Sequence, residues 1–136
     1  PIAISSAGAR GLMQMMIGTA EMTANDIRER KPTKGALLDP MVNIRLGAHH
    51  IAELSAKYGN HRAIVAAAYN AGPHRADRWI RDVENMPTVV WIEQIPFRET
   101  RNYVKNVIAF SYVYAARLGI PQPVLGAHEQ TIGRRR

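Results

Sequence analysis

Cysteine is absent from the 136 residues. Disulfides and thiolate metal sites are therefore excluded, and the chain suits a reducing or an oxidising compartment alike. No segment approaches the roughly 18 consecutive apolar residues that a membrane span needs, so no membrane span is expected. Aromatic residues are only 7% of the chain. They do not interleave with the basic residues as in a nucleic-acid reader, so no nucleic-acid partner is expected. No start methionine or leader precedes Pro1, and the chain is read as a processed or excised piece. Internal repeats and low-complexity tracts are also missing.

What is present fits one globular domain. The chain is 46% hydrophobic and 21% charged, which suffices for one core. Eighteen Lys and Arg against eleven Asp and Glu give a formal charge of +7. Such a surface suits a polyanion, and nucleic acid, anionic lipid and peptidoglycan stem peptides all have that charge. Part of the excess is the terminal cluster Arg134-Arg135-Arg136, for which a solubilising role is an equal alternative.

The punctuation predicts helices. Leu12 to Ile27 reads as helical, with Gly18-Thr19 as a break that ends one short helix and caps the next. Lys31 to Leu38, with Pro32 and Gly35, reads as a loop. Asp39 to Tyr58 is the strongest helix. Asp39 is a good N-cap, Pro40 sits where its missing N–H costs nothing, and Gly59 suits a left-handed C-cap. Ile44, Gly47, Ala48, Ile51 and Leu54 recur at helical spacing as its apolar stripe. His49 and His50 point about 100° apart on such a helix and make no bidentate metal site. Arg62 to Asn70 is rich in small apolar residues and reads as a central helix. His74 to Val83 is a helix basic on one face, reached through the turn Ala71-Gly72-Pro73. Thr100 to Leu118 is the last helix, with Tyr103, Val107, Phe110 and Tyr114 at helical intervals and Gly119 and Pro121 as its stop. Gln122 to Arg136 reads as an irregular basic tail. No strand signal matches these, so the fold class is all-α.

Three features carry chemistry. Gly11-Leu12-Met13-Gln14 combines small residues, which let a ligand approach the backbone, with a soft apolar side chain and a two-way hydrogen-bonder. A plain helix-entry turn explains it as well. Ala68-Tyr69-Asn70-Ala71-Gly72-Pro73 ends a buried helix with two polar tips that need partners, at a binding site or at an ordinary terminus. Glu93 lies in Trp91-Ile92-Glu93-Gln94-Ile95-Pro96-Phe97, the most apolar stretch around any carboxylate here. Desolvation would raise its pKa and suit a general acid. Pairing with Arg98 or Arg101 is the alternative.

In order and spacing these segments resemble one family. Gly11-Leu12-Met13-Gln14, Gly18-Thr19-Ala20, Leu38-Asp39-Pro40 with Asn43-Ile44 and Gly47, and Ala68 to Pro73 look like the successive motifs of lytic transglycosylases of the soluble type. The stretch from Ile95 to Val107 is similar to their large soluble periplasmic members. The resemblance covers the chain from Pro1 to about Leu118.

The resemblance implies a lysozyme-like helical domain over residues 1–121, a substrate cleft for peptidoglycan glycan strands, and a periplasmic location. The implied reaction cleaves the N-acetylmuramic acid to N-acetylglucosamine bond and leaves a 1,6-anhydromuramic end. One glutamate serves as acid and then base, because the muramic C6 hydroxyl attacks its own anomeric carbon. No cofactor and no metal ion is implied. By resemblance Tyr69 hydrogen-bonds that glutamate, and Ser5, Met13, Gln14, Asn70, Glu93 and Tyr103 line the sugar subsites. In the family the glutamate belongs to a Glu-Ser motif about five residues before the position matching Pro1. The glutamate and its helix are therefore expected to be missing, the chain to be inactive, and its newly exposed surface to favour association. A catalytically silent glycan-binding module, a goose-type lysozyme and, on charge alone, a basic nucleic-acid binder are the other readings.

Overall fold

The computed structural model describes residues 2–133. The cluster Arg134-Arg135-Arg136 lies outside them. The described residues form two compact units, one ending at Glu53 and one starting at Leu54. They carry six α-helices: α1 (Ile17–Asp26), α2 (Pro40–Lys57), α3 (Arg62–Ala71), α4 (Pro73–Ile80), α5 (Thr88–Gln94) and α6 (Arg98–Arg117). Strand structure among them is limited to the two-residue pair β1 (Met86–Pro87) and β2 (Thr131–Ile132) and two isolated bridges. The all-α class expected from the sequence is the class observed.

In the first unit the helix expected over 12–27 is shorter. Arg10 and Met15 exchange backbone hydrogen bonds of 2.9 and 3.0 Å, and Gly11 and Gln14 take left-handed conformations with φ of 75° and 49°. That geometry is incompatible with a helix, so α1 begins only at Ile17. Gly18-Thr19 falls in its first turn and breaks nothing. Ala20, Ala24, Met15, Leu37 and Leu46 form the core of this unit.

Helix α2 follows its punctuation closely. Asp39 Oδ1 accepts the N–H groups of Met41 and Val42 at 2.8 and 3.3 Å. At the other end Gly59 has φ of 60°, and the Asn60 N–H reaches the Ser55 carbonyl at 2.8 Å, which closes a Schellman-type cap. The apolar stripe is displaced, however. Asn43, Leu46 and Leu54 are buried, whereas Ile44 and Ile51 are exposed.

In the second unit α3 is the central helix. Ala63, Ala67 and Ala68 are completely buried, and their small side chains let the surrounding helices approach closely. Gly72, with φ of 92°, alone separates α3 from α4, and Pro73 opens α4 at the first helical position. Helix α4 ends at Ile80, three residues earlier than expected. Helix α5 is unexpected from the sequence, because Thr88, Val89 and Val90 open it with β-branched side chains of low helix propensity. Tertiary burial of Trp91, Ile92 and Ile95 compensates. In α6 the buried residues are Thr100, Val104 and Ile108, while Tyr103 and Val107 are half-buried and Phe110 and Tyr114 are exposed. The Ile120 N–H bonds the Ala115 carbonyl at 3.0 Å across Gly119, φ 70°, where α6 stops.

The segment after Pro121 is not an irregular tail through Gly133. Its strand β2 pairs antiparallel with β1, Met86 opposite Ile132 and Pro87 opposite Thr131. Ile132 is buried in the same core as Trp91 and Val104. Glu129 is also buried. It receives Arg62 Nε at 2.8 Å and Nη2 at 2.5 Å, together with the backbone N–H groups of Arg62 at 3.0 Å and Gly126 at 2.7 Å. Burial pushes this carboxyl up, but those four donors outweigh it and hold the pKa down at about 2.

Candidate functional site

The candidate residues fall into two groups, one in each unit. In the first unit, bridges Ile4 to Arg10 and Arg10 to Met15 lay three chain segments side by side. Ser5 Oγ accepts the Ala9 N–H at 3.0 Å. Gln14 is exposed, and its Nε2 donates to the carbonyls of Gly11 at 2.8 Å and Ala3 at 3.2 Å. Those bonds fix the side-chain amide and leave its oxygen available as an acceptor.

A residue not predicted as part of the site holds this turn in place. Asn43 is fully buried. Its Oδ1 accepts the Met13 N–H at 2.7 Å, and its Nδ2 donates to Arg10 O at 2.8 Å and Leu37 O at 2.9 Å. Gly11 lies against it so closely that a Cβ would meet the Asn43 side chain and would lie 2.5 Å from Leu37 O. Gly47 has the same role one turn along α2, where a Cβ would lie 2.8 Å from Met13 Cβ and Cγ. The motif residues Gly11, Met13, Asn43 and Gly47 are thus one packing arrangement. The available signal was a polar residue one turn inside the Asp39 cap.

In the second unit Tyr69 and Asn70 end α3 and face the start of α6. Thr100 Oγ1, itself buried, donates to Asn70 Oδ1 at 2.7 Å. Tyr69 and Tyr103 are both half-buried. Burial first, and then the neighbouring Tyr103 hydroxyl, push the Tyr69 phenol up to about 12, and burial raises Tyr103 as well. Both phenols therefore stay neutral at physiological pH and act as hydrogen-bond donors. Tyr69, Asn70 and Tyr103 are brought together; Glu93 stands apart from the apolar setting expected of it. Its side chain is 59% exposed, and Oε1 lies 2.5 Å from Lys105 Nζ. Arg101, an expected partner, bonds the Glu93 backbone carbonyl at 3.0 Å instead. Because α5 is a helix, Trp91, Ile92 and Ile95 turn into the core while Glu93 turns out of it. The desolvated-acid reading of Glu93 is therefore overturned.

No cluster of three His, Asp or Glu side chains is placed to hold a metal ion among the described residues, and no helix there is long and apolar enough to cross a membrane.

Residues 1–92 match the family described as Transglycosylase SLT domain. The chain belongs to that family. Residues 94–123 match the Soluble lytic transglycosylase helical domain. The soluble lytic murein transglycosylase of Escherichia coli K12 is 39% identical over 127 residues, covering 92% of this chain and 20% of the relative. An inactive glutamate-to-glutamine mutant of lytic transglycosylase Slt from Pseudomonas aeruginosa is similar at TM-score 0.91 and 40% identity, over 98% of this chain and 22% of that one. The 70 kDa soluble lytic transglycosylase from Escherichia coli is similar at TM-score 0.90 and 38% identity, over 96% and 22%. This transglycosylase SLT chain thus spans about a fifth of the length of the relatives it matches, and its helical fold is the lysozyme-like fold of those enzymes.

Proposed function

We propose that this chain supplies glycan-binding residues of a peptidoglycan lytic transglycosylase acting in the periplasm. The reaction is cleavage of the N-acetylmuramic acid to N-acetylglucosamine bond, with the muramic C6 hydroxyl as nucleophile and a 1,6-anhydromuramic end as product. Ser5, Met13, Gln14, Asn70, Glu93 and Tyr103 contact the sugars. Tyr69 donates a hydrogen bond that orients the general acid. Family membership over residues 1–92 is the observation that carries this reading. The neutral, half-buried phenol of Tyr69 supports its part in it.

The acid itself is not among these residues. The chain contains no Glu-Ser pair, and the related Pseudomonas enzyme is described as inactive when one glutamate becomes glutamine. Glu93 is exposed and bound to Lys105, so it lacks the setting that would make it the substitute. General acid catalysis by a placed group contributes about 10²–10⁴ in rate, and orientation alone does not restore it. These 136 residues alone therefore bind glycan without cutting it, and they associate through apolar surface that a preceding helix would cover.

The test compares this chain with a form extended upstream through a Glu-Ser motif, both incubated with purified peptidoglycan. Release of anhydromuropeptides by the extended form alone is expected. Release by the 136 residues at a similar rate would overturn the assignment of the acid.

A further inference from the structure

We propose that Arg75 is a specificity residue that binds the carboxylates of peptidoglycan stem peptides; this rests on the glycan-strand reading above. Arg75 lies on α4, five positions past Asn70. Its Nη1 donates to the Ala71 carbonyl at 3.0 Å, the residue that follows Asn70. Its guanidinium carbon sits 5.0 Å from the centre of the Phe97 ring. That ring is in turn fixed edge-to-face by Trp79, with centroids 5.6 Å apart at 87°. Two independent contacts thus hold an exposed arginine still.

The contacts leave the useful part of the side chain open. The guanidinium carbon lies over the Phe97 ring, and the Ala71 carbonyl occupies one of the five N–H groups. The remaining in-plane donors form the fork that takes a carboxylate in two parallel hydrogen bonds. Among the described residues no carboxylate pairs with Arg75 or with its neighbour one turn along, Arg78. An ordered arginine with no internal counter-ion is arranged for an external one.

Position and chemistry select the anion. Arg75 lies in the first turn of α4, just past the end of α3 that carries Tyr69 and Asn70, and Phe97 sits at the entry to α6, whose Thr100 bonds Asn70. A sugar held by Asn70 would have its substituents near Arg75. The sugar rings of the strand are uncharged, whereas its stem peptides end in free carboxylates. Immobilising the guanidinium beforehand removes part of the entropy cost of capturing them.

The test measures binding of this chain, wild type and Arg75→Gln, to two forms of a peptidoglycan tetrasaccharide. One carries its stem peptides with free carboxylates, and in the other those carboxylates are converted to primary amides. Wild type should bind the free-carboxylate form about fivefold more tightly, the size expected of a solvent-accessible ion pair. Arg75→Gln should lose that preference and leave the affinity for the amide form unchanged. Phe97→Leu, which removes the stack but keeps the charge, should lose part of it. Equal weakening of both forms by Arg75→Gln would mean a structural role and would overturn the proposal, as would no change. Equal binding of both forms by wild type overturns it too while leaving the glycan reading intact. Failure of wild type to bind either form overturns that reading as well.

Discussion

The buried side-chain amide of Asn43 accepts the backbone N–H of Met13 at 2.7 Å, across thirty residues of chain. Its nitrogen simultaneously holds the carbonyls of Arg10 and Leu37. One side chain on α2 therefore fixes the Gly11 to Gln14 turn and the loop before α2. Asn43→Leu is close in volume but takes this partner from the Met13 N–H and the Leu37 carbonyl, while the Arg10 carbonyl keeps the Met15 N–H. Each group so affected costs about 1–3 kcal/mol, so a loss of at least about 2 kcal/mol is expected, read as a lower urea midpoint. A loss under about 1 kcal/mol would show that the turn holds its shape by itself.

Gly11 and Gly47 are sensitive to a single methyl group, for different reasons. Gly11→Ala places a Cβ against Leu37 O and Asn43 at a φ of 75°, combining a backbone cost with a clash against backbone. Gly47→Ala meets only Met13, at Cβ and Cγ 2.8 Å away, and overpacking of that kind costs about 1–3 kcal/mol. Thermal melts should show the larger drop for Gly11→Ala.

The Glu129 to Arg62 pair makes the second unit acid-sensitive. The folded pKa of Glu129 is about 2 against an ordinary 4.5. A lowered pKa gives stability that is fully present above 4.5 and is lost as pH falls from 4.5 toward 2. By linkage it is worth on the order of 3 kcal/mol at neutral pH. Glu129→Gln should therefore be less stable than wild type at pH 7, and the difference should narrow as pH falls through that window. A difference independent of pH between 7 and 2.5 in urea titrations would contradict the assignment.

Glu93 behaves differently because it is exposed. Its pair with Lys105 is accessible to solvent, and such pairs contribute at most about 1 kcal/mol. Glu93→Gln should leave the melting temperature nearly unchanged. In the upstream-extended form it should lower turnover by less than tenfold, as fits a sugar contact. Loss of the 10²–10⁴ typical of a general acid would restore Glu93 to that role.

The sequence was legible where the physics is local. Asp39, Pro40 and Gly59 mark the ends of α2 through caps formed within a few residues. It was misleading where helix geometry intervenes. Glu93 has apolar neighbours in sequence, but with α5 unrecognised, nothing showed that Trp91 and Ile92 point away from it. The stripe on α2 was misplaced for a related reason. Asn43 is buried only because Arg10, Met13 and Leu37 supply its partners from elsewhere in the chain, while Ile44 beside it stays exposed. Glu129 gave no signal at all, since Arg62 is 67 residues away. The family motifs bridged part of this gap, because Gly11, Asn43 and Gly47 stand in them for a contact that spacing alone does not express.

The most direct test of the account is the chemical form of the product. Peptidoglycan would be digested with the form extended upstream through a Glu-Ser motif, and the released muropeptides weighed by mass spectrometry. Attack by the muramic C6 hydroxyl predicts 1,6-anhydromuramic ends, each lighter by one water than the corresponding reducing end. Reducing ends as the primary product would show that water is the nucleophile and would contradict the assignment of a transglycosylase.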